Sequence, residues 1–572
     1  MKVLLCAIHS KYIHSALAPW CLAAGIRAYG KGGYAYEVME GTINQSDETL
    51  LHALLDADAD VFALSCYIWN ISCIRRILPL LKRKRPECTV IVGGPEASFR
   101  AEELLHGCPE MDFVLCGEGE RTLPALLDGL AAGQVPAGLK GLAFREGEAV
   151  VVNPPPKVCE EPPSPYCEAY FSSLHGRIAY LETSRGCPFS CSFCLSGLHQ
   201  GVRFYSLQRA KRELLLLANS GTRTVKLVDR TFNCNPKRAY ALFSFLMEEA
   251  GRSIPSGVCF HFEVAADLID EPTIRLLQTA PPGLFQMEAG LQSFQADTLE
   301  AVRRKTDLAR LCRNLKQLLA PGNIHIHIDL IAGLPLESLP RFAESFNQAF
   351  ALGPHTLQLG FLKLLYGSAI RQAAQRWGYR FRLEPPYEIT ENRFLSKEDL
   401  RRLHRVEDAL ERLFNSGRFS FSLRYLFQAT GLSPFALFDA FSSFVEEKGG
   451  GAGVSLNTYT EWVYAFFAGQ PGVDPLRLRD LLVCDRLCGE NTGRIPAGLR
   501  RKDPRLKRIA GRLKSSGRYD GVKGVPFGMA ILYAGTERVA VADYGCKRPV
   551  TGRYPIRFLP MSAFLSQKAA DE

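Results

Sequence analysis

The sequence predicts an α/β protein in three parts: a doubly wound N-terminal domain, a central partial βα barrel and a mainly helical C-terminal domain. Three observations carry this. Short apolar runs alternate with amphipathic stretches over residues 1–145 and again from Ile178, the pattern of strands and helices in parallel sheets. Asn153-Pro154-Pro155-Pro156 and Glu161-Pro162-Pro163-Ser164-Pro165 separate the two regions with more proline than a helix or a central strand tolerates. From about residue 372 the apolar period moves towards 3.6, as over residues 397–414. At 572 residues, 47% apolar and 22% charged, the chain can bury about three cores, and a disordered, collagenous or small disulfide-bonded protein is excluded. The expected boundaries are 1–145, a proline-rich linker over 146–176, 177–371 and 372–572.

In the first region the strand candidates are residues 3–8, 61–65, 90–94 and 113–116, with helices over 48–57 and 74–85, the latter closed by Pro86. A Rossmann-like sheet of this kind binds ligands beyond the carboxyl ends of its strands. Those ends carry Ile8-His9-Ser10, Trp69-Asn70, Gly93-Gly94-Pro95-Glu96 and Gly117-Glu118-Gly119-Glu120. The glycines let backbone approach a bulky ligand; the plainer reading is a set of tight strand-to-helix turns. Met1 to Cys6 reads as a strand rather than a signal peptide, and no apolar run reaches the roughly 18–20 residues of a membrane span. The expectation is a cytoplasmic protein with no membrane partner, whose 18 cysteines are mostly thiols. Cys6, Cys66 and Cys259 sit in apolar stretches as small buried hydrophobes. The formal charge of +10 permits an anionic partner without requiring one.

The second region offers six strand candidates, residues 178–182, 224–228, 258–263, 284–289, 324–331 and 357–359. They suggest a partial TIM-type barrel with functional residues at the strand C-termini. Just after the first of them stand Cys187, Cys191 and Cys194, spaced C-x3-C-x2-C. Three thiolates on one loop can hold three irons of a [4Fe–4S] cluster and leave the fourth open. A structural zinc site would need a fourth ligand, for which His199 is the local candidate.

On this loop, with Phe193 before its third cysteine, the chain resembles the radical S-adenosylmethionine superfamily over roughly residues 177–370. The later strand ends fit too: Asp229-Arg230-Thr231-Phe232-Asn233, Phe262-Glu263, Glu288-Ala289-Gly290-Leu291-Gln292-Ser293 and Asp329-Leu330-Ile331-Ala332-Gly333-Leu334-Pro335. The resemblance implies that S-adenosylmethionine takes the open iron and is cleaved to a 5′-deoxyadenosyl radical. It assigns Asp229 to the methionine ammonium, Glu263 to the ribose hydroxyls, and Gln292 and Ser293 to the carboxylate, with Glu288 on the same strand end. The alternative for Asp229 and Glu263 is a structural ion pair or a cap. The more usual Gly-Gly-Glu is absent at the Asp229 strand. His325 and His327 alternate on one strand and read as interior polar residues near a substrate rather than a metal pair.

A doubly wound domain ahead of such a barrel is similar to the cobalamin-binding members of that superfamily. There the loops matching Trp69, Asn70, Gly93, Gly94, Glu96, Gly117, Glu118, Gly119 and Glu120 surround cobalamin. The Asp-x-His-x-x-Gly motif that supplies an axial histidine is missing, and His9 and His14 lack its spacing, so base-off cobalamin is implied. A competing reading is the tRNA methylthiotransferases, which hold a second cluster on N-terminal cysteines; Cys6, Cys66 and Cys116 fall near strand ends. Cys6 nevertheless sits inside a strand, and no small β-barrel RNA-binding module is recognisable.

Residues 361–368 and 385–388 are similar to an uncharacterised subgroup of the cobalamin-type enzymes. Between Leu499 and Lys523 stand Arg500, Arg501, Lys502, Arg505, Lys507, Arg508, Arg512, Lys514 and Arg518 against Asp503 and Asp520. That density is either a solvated surface or a track for an RNA backbone. Cys484 and Cys488, one helical turn apart, read as free thiols. The function implied is a cobalamin-dependent methyltransferase acting on an unactivated carbon of a small molecule or peptide. Its electrons would come from a donor such as flavodoxin or ferredoxin. The alternatives are a tRNA-modifying enzyme, a cobalamin-assisted rearrangement or cyclisation, and a non-catalytic cobalamin or redox sensor.

Overall fold

The computed structural model describes residues 1–198, 201–517 and 525–565. The chain packs as two compact units: Met1–Leu277 with Glu300–Lys305 and Phe361–Arg393, and Gln278–Leu299 with Thr306–Gly360 and the described residues from Phe394 onward.

The first unit opens with a seven-stranded sheet in the order β2-β1-β3-β4-β5-β6-β7. Its parallel strands are β1 (Lys2–His9), β2 (Ala35–Thr42), β3 (Val61–Ser65), β4 (Thr89–Gly93) and β5 (Phe113–Leu115). Alternate residues of each strand supply two cores. Leu4, Phe62, Leu64 and Val90 meet helices α2 (Asp47–Asp56) and α3 (Ile71–Lys84) through Leu50, Leu54, Ile74 and Ile77. Val3, Leu5, Ala63 and Ile91 share the other core with Ala23 and Ile26 of α1 (Ala18–Tyr29). Strands buried on both faces read as unbroken apolar runs, which is why these were legible. β2 was not, because it is a half-exposed edge strand, Ala-Tyr-Glu-Val-Met-Glu-Gly-Thr.

The sheet also runs past the expected boundary at 145. β6 (Leu142–Glu146) turns back antiparallel on β5, and β7 (Ala149–Val152) on β6. Gly147 makes their turn at φ 63°. The linker is therefore shorter than 146–176, beginning at the prolines after Asn153, and it holds a short helix over Glu168–Ser173.

All six strands expected of the barrel form. The first unit holds β8 (Ala179–Leu181), β11 (Thr224–Leu227) and β12 (Cys259–Val264), parallel and adjacent in that order. Between β8 and β11 a hairpin, β9 (Ser184–Cys187) with β10 (Gly201–Phe204), carries the first cysteine. The second unit holds β13 (Phe285–Gln292), β14 (His325–Ala332), parallel to it, and β15 (Thr356–Phe361) as far as Gly360.

The rest of the second unit is mainly helical, and serine and aspartate caps mark several starts. Ser396 and Asp399 form a capping box at Lys397–Leu410, Ser433 caps Pro434–Glu447, and Asp474 caps Pro475–Gly489. A three-stranded antiparallel sheet (Phe527–Leu532, Arg538–Asp543, Ile556–Pro560) adds to this. It packs on helix Arg505–Ser515 through Ile509, Leu513, Ile531 and Val541. No helix among the described residues is long and apolar enough to cross a membrane.

Candidate functional site

A cavity of about 600 Å³ opens at the carboxyl ends of β1, β3, β4 and β5 in the first unit. Its walls include Trp69, Asn70, Gly93, Gly94, Gly117, Glu118, Gly119 and Glu120 from the sheet loops, together with Glu182, Arg185 and Arg230. Fully buried Asn70 organises the β3 loop. Its amide donates to Ile8 O (3.0 Å) and Ser65 O (2.8 Å), and its carbonyl accepts from Tyr67 N at 2.8 Å. Trp69, 43% exposed, stacks on Tyr67 with centroids 4.3 Å apart and planes 6° from parallel, a flat aromatic face. Gly94 holds φ at 103°, and a Cβ there would lie 2.7 Å from Cys66 O, so the turn requires glycine.

Glu96 is not on this wall. Its buried carboxylate takes the Tyr387 hydroxyl and Arg100 Nη1 (3.0 Å) behind the loop. His9 and His14 do line the cavity. His9 Nε2 pairs with Glu40 at 2.8 Å, and His14 Nδ1 with the Tyr180 hydroxyl at 2.6 Å. Burial holds the His14 imidazole below its ordinary titration range, and the charges of His9 and Lys11 add to this.

Arg185 on β9 is the charged centre of the wall. It donates to Glu118 Oε2 (2.5 Å), Glu120 Oε1 (2.5 Å) and Glu182 Oε2 (2.8 Å). Burial raises the Glu120 carboxyl, but the Arg185 guanidinium outweighs it and holds the group below the usual range.

Asp229 ties the cysteine loop to the end of β11. It is 1% exposed and accepts from Thr183 N (2.9 Å), Thr183 Oγ1 (2.7 Å) and Ser184 Oγ (2.5 Å). Burial pushes its carboxyl up to about 6 against those donors. Each cysteine sulfur has a polar neighbour: Thr231 Oγ1 at 3.5 Å from Cys187, Arg304 Nη1 at 3.9 Å from Cys191 and Ser196 N at 3.4 Å from Cys194. Burial raises the Cys191 thiol, and Arg304 opposes it. Glu263 lies on β12 with Lys226 Nζ 3.9 Å away.

In the second unit Gln286, Glu288, Gly290 and Gln292 alternate with buried Phe285, Met287, Ala289 and Leu291. Glu288 is in register with His327 and Gly290 with Asp329, so the two strands share a polar face. His327 Nε2 meets Gln286 Nε2 at 3.0 Å, and the His325 ring lies 4.8 Å from those of His327 and His355. Gln292 takes a left-handed φ of 75°, uncommon outside glycine. Ser293 is fully buried and donates to Glu337 Oε1 at 2.6 Å, which commits its hydroxyl to the protein. Sequence reading missed Glu337, which shows locally only as a carboxylate in an apolar run after Pro335. It also missed Arg185, which stands beside the first cysteine in Ser-Arg-Gly-Cys.

In the basic stretch, Arg505 is held by Asp503 (2.7 Å) and Glu537 (2.6 Å), and Arg512 donates to Phe564 O at 2.9 Å. Lys507, Arg508 and Lys514 are exposed. Arg518, Asp520 and Lys523 lie outside the described residues, as does His199. Cys484 and Cys488 are buried thiols.

These residues fit the cofactors the sequence suggests. Three thiols on one loop, each with a polar neighbour, suit an iron–sulfur cluster, whose thiolates accept hydrogen bonds from their surroundings. Among the described residues no group of three or more His, Cys, Asp or Glu is arranged to hold a single metal ion. A cavity with a flat aromatic face and glycine turns suits a large planar ligand.

Residues 4–127 match the B12 binding domain family, residues 181–349 the Radical SAM superfamily, and residues 375–515 a family described as a protein of unknown function (DUF4080). The chain is 28% identical over 345 residues to 2-(S-pantetheinyl)-carbapenam-3-carboxylate methyltransferase of Streptantibioticus cattleyicolor, covering 57% of this chain and 50% of the relative. It is 28% identical to the cobalamin-dependent radical SAM methyltransferase TokK of Streptomyces tokunonensis, covering 52% and 46%. It thus spans about half the length of these relatives. In fold it resembles the cobalamin-dependent S-adenosylmethionine radical enzyme OxsB, with a TM-score of 0.59 at 15% identity over 92% of this chain and 82% of that one. The chain therefore carries a B12-binding domain and a radical S-adenosylmethionine domain, and with them the cofactors cobalamin, a [4Fe–4S] cluster and S-adenosylmethionine.

Proposed function

We propose that this chain, a B12-binding domain and a radical S-adenosylmethionine domain followed by a DUF4080 region, is a methyltransferase acting on an unactivated carbon of a small molecule or peptide. One observation carries the reading. The cavity at the ends of the N-terminal strands is completed by Glu182, Arg185 and Arg230, which flank the cysteine loop and follow β11. The two proposed cofactor sites would then share a wall.

When bound, the cluster with S-adenosylmethionine supplies a carbon-centred radical, and cobalamin supplies a transferable methyl group. The chain's own residues hold and orient. Cys187, Cys191 and Cys194 would ligate three irons, with Arg304 and Ser196 N–H stabilising negative charge on sulfur. Asp229 fixes the start of the loop through Thr183 and Ser184, a positioning task that occupies its oxygens. Glu263 would hold the ribose. Within the second unit, the left-handed turn at Gln292 is followed by Ser293, whose hydroxyl Glu337 holds in place. The Tyr67–Trp69 stack, Gly93, Gly94 and Gly117 would receive the corrin.

Anaerobic reconstitution with iron, sulfide and hydroxocobalamin tests this. The expected product holds an oxygen-labile cluster and cobalamin in stoichiometric amounts with a base-off spectrum, and forms 5′-deoxyadenosine on reduction. Cys187→Ala, Cys191→Ala and Cys194→Ala should each abolish the cluster and the cleavage. Full cleavage by any of the three, or failure to retain cobalamin, would overturn the reading.

A further inference from the structure

We infer that Arg185 is a positioning residue that couples occupancy of the cobalamin cavity to the cluster loop. The inference rests on the proposed cofactor assignment, and its geometry lies wholly within the first unit. β9 and β10 pair antiparallel with Arg185 directly opposite Arg203. Two like charges in cross-strand register repel one another. Here Glu118 lies between them, accepting from Arg185 Nη1 at 2.5 Å and from Arg203 Nη2 at 2.7 Å. Glu120 takes Arg185 Nη2 at 2.5 Å, and Glu182 takes Arg185 Nε at 2.8 Å and the Tyr205 hydroxyl at 2.7 Å.

Each of the three Arg185 guanidinium nitrogens thus donates to a carboxylate, and two of these carboxylates, Glu118 and Glu120, stand on the cavity wall. They come from the loop entering helix Gly119–Ala131 and from its first turn, after the last parallel strand of the N-terminal sheet. The guanidinium is two residues from Cys187. A ligand that fills the cavity and restrains Glu118 and Glu120 therefore acts on the strand that presents the first thiolate. The planar fork aims its donors at carboxylates from separate segments in a fixed geometry, whereas an ammonium offers only a compact point charge with rotatable donors.

Coupling between two sites is reciprocal: if cobalamin steadies the cluster loop, the cluster must raise cobalamin affinity by the same factor. Hydroxocobalamin titrated into cluster-loaded and cluster-free full-length protein measures that factor without any turnover. In the wild type the loaded form should bind about five- to tenfold tighter. In Arg185→Gln, which keeps all three cysteines, the ratio should fall to near unity while iron and sulfide content stay at wild-type levels. Arg185→Lys should restore part of it.

Glu118→Gln leaves Arg185 its bonds to Glu120 and Glu182, guards against misfolding of the first variant, and should give an intermediate ratio. A ratio near unity in the wild type, or one unchanged in both Arg185→Gln and Glu118→Gln, would overturn the inference. A wild-type chain that takes up neither cofactor refutes instead the functional reading beneath it, a distinct result.

Discussion

Glu337 accepts two hydroxyls, Ser293 at 2.6 Å and Ser345 at 2.8 Å, in a fully buried setting of the second unit. Burial pushes its carboxyl up from 4.5 to about 7, since two neutral donors do not replace the lost hydration. The folded chain then holds this proton at a pH where the unfolded chain has released it. Stability contributed by the site is greatest at low pH and declines as pH rises through the window from about 4.5 to about 7. Glu337→Gln removes that dependence while keeping an acceptor for both serines. Between pH 5 and pH 8 the variant should gain on the wild type by on the order of 3 kcal/mol, as read by thermal melting at each pH. Equal pH dependence in both proteins would show that the carboxyl is not held neutral.

The hairpin β9–β10 is the element on which the cluster site depends, and one glycine sets its geometry. Gly186 sits at φ 96°, and a Cβ there would lie 2.3 Å from the carbonyl oxygen of Gly201. Neither the backbone angle nor the close approach accepts a side chain. Gly186→Ala should open the hairpin at a cost of about 1–3 kcal/mol and sharply reduce iron retention. The seven-stranded sheet, which shares no strand with the hairpin, should still bind cobalamin, with the weaker affinity of the cluster-free protein. Unchanged iron content in this variant would show that the loop can be presented without that turn. The strands on either side were legible as apolar runs, whereas the hairpin was read only as cysteine spacing. Its two short strands, Ser184–Cys187 and Gly201–Phe204, have no periodic apolar pattern to announce them.

For the whole molecule, the choice between a small substrate and an RNA partner is tested at the basic stretch. Arg505 and Arg512 serve the fold, so replacing them tests stability rather than binding. The exposed cations Lys507, Arg508 and Lys514 are the proper probes. If this helix is a solvated face, changing all three to Gln leaves turnover of a small substrate unaltered, and filter binding detects no RNA complex at low salt. A complex that weakens steeply with salt, and less steeply in the triple variant, would instead make RNA the partner.

What the sequence determined by itself is whatever local spacing encodes. It gave away the α/β class, the strands buried on both faces, the three cysteines of one loop and the glycine-bearing strand ends, because each is a pattern of near neighbours. Which carboxylate does what was decided only in three dimensions. Glu96 and Glu118 stand in similar strand-end motifs, yet Glu96 turns to Tyr387, 291 residues away, while Glu118 meets Arg185, 67 residues on. Ser293 likewise finds Glu337 across 44 residues. A buried charge must be paired or neutralised, and the partner is chosen by packing between distant segments, which no local pattern records.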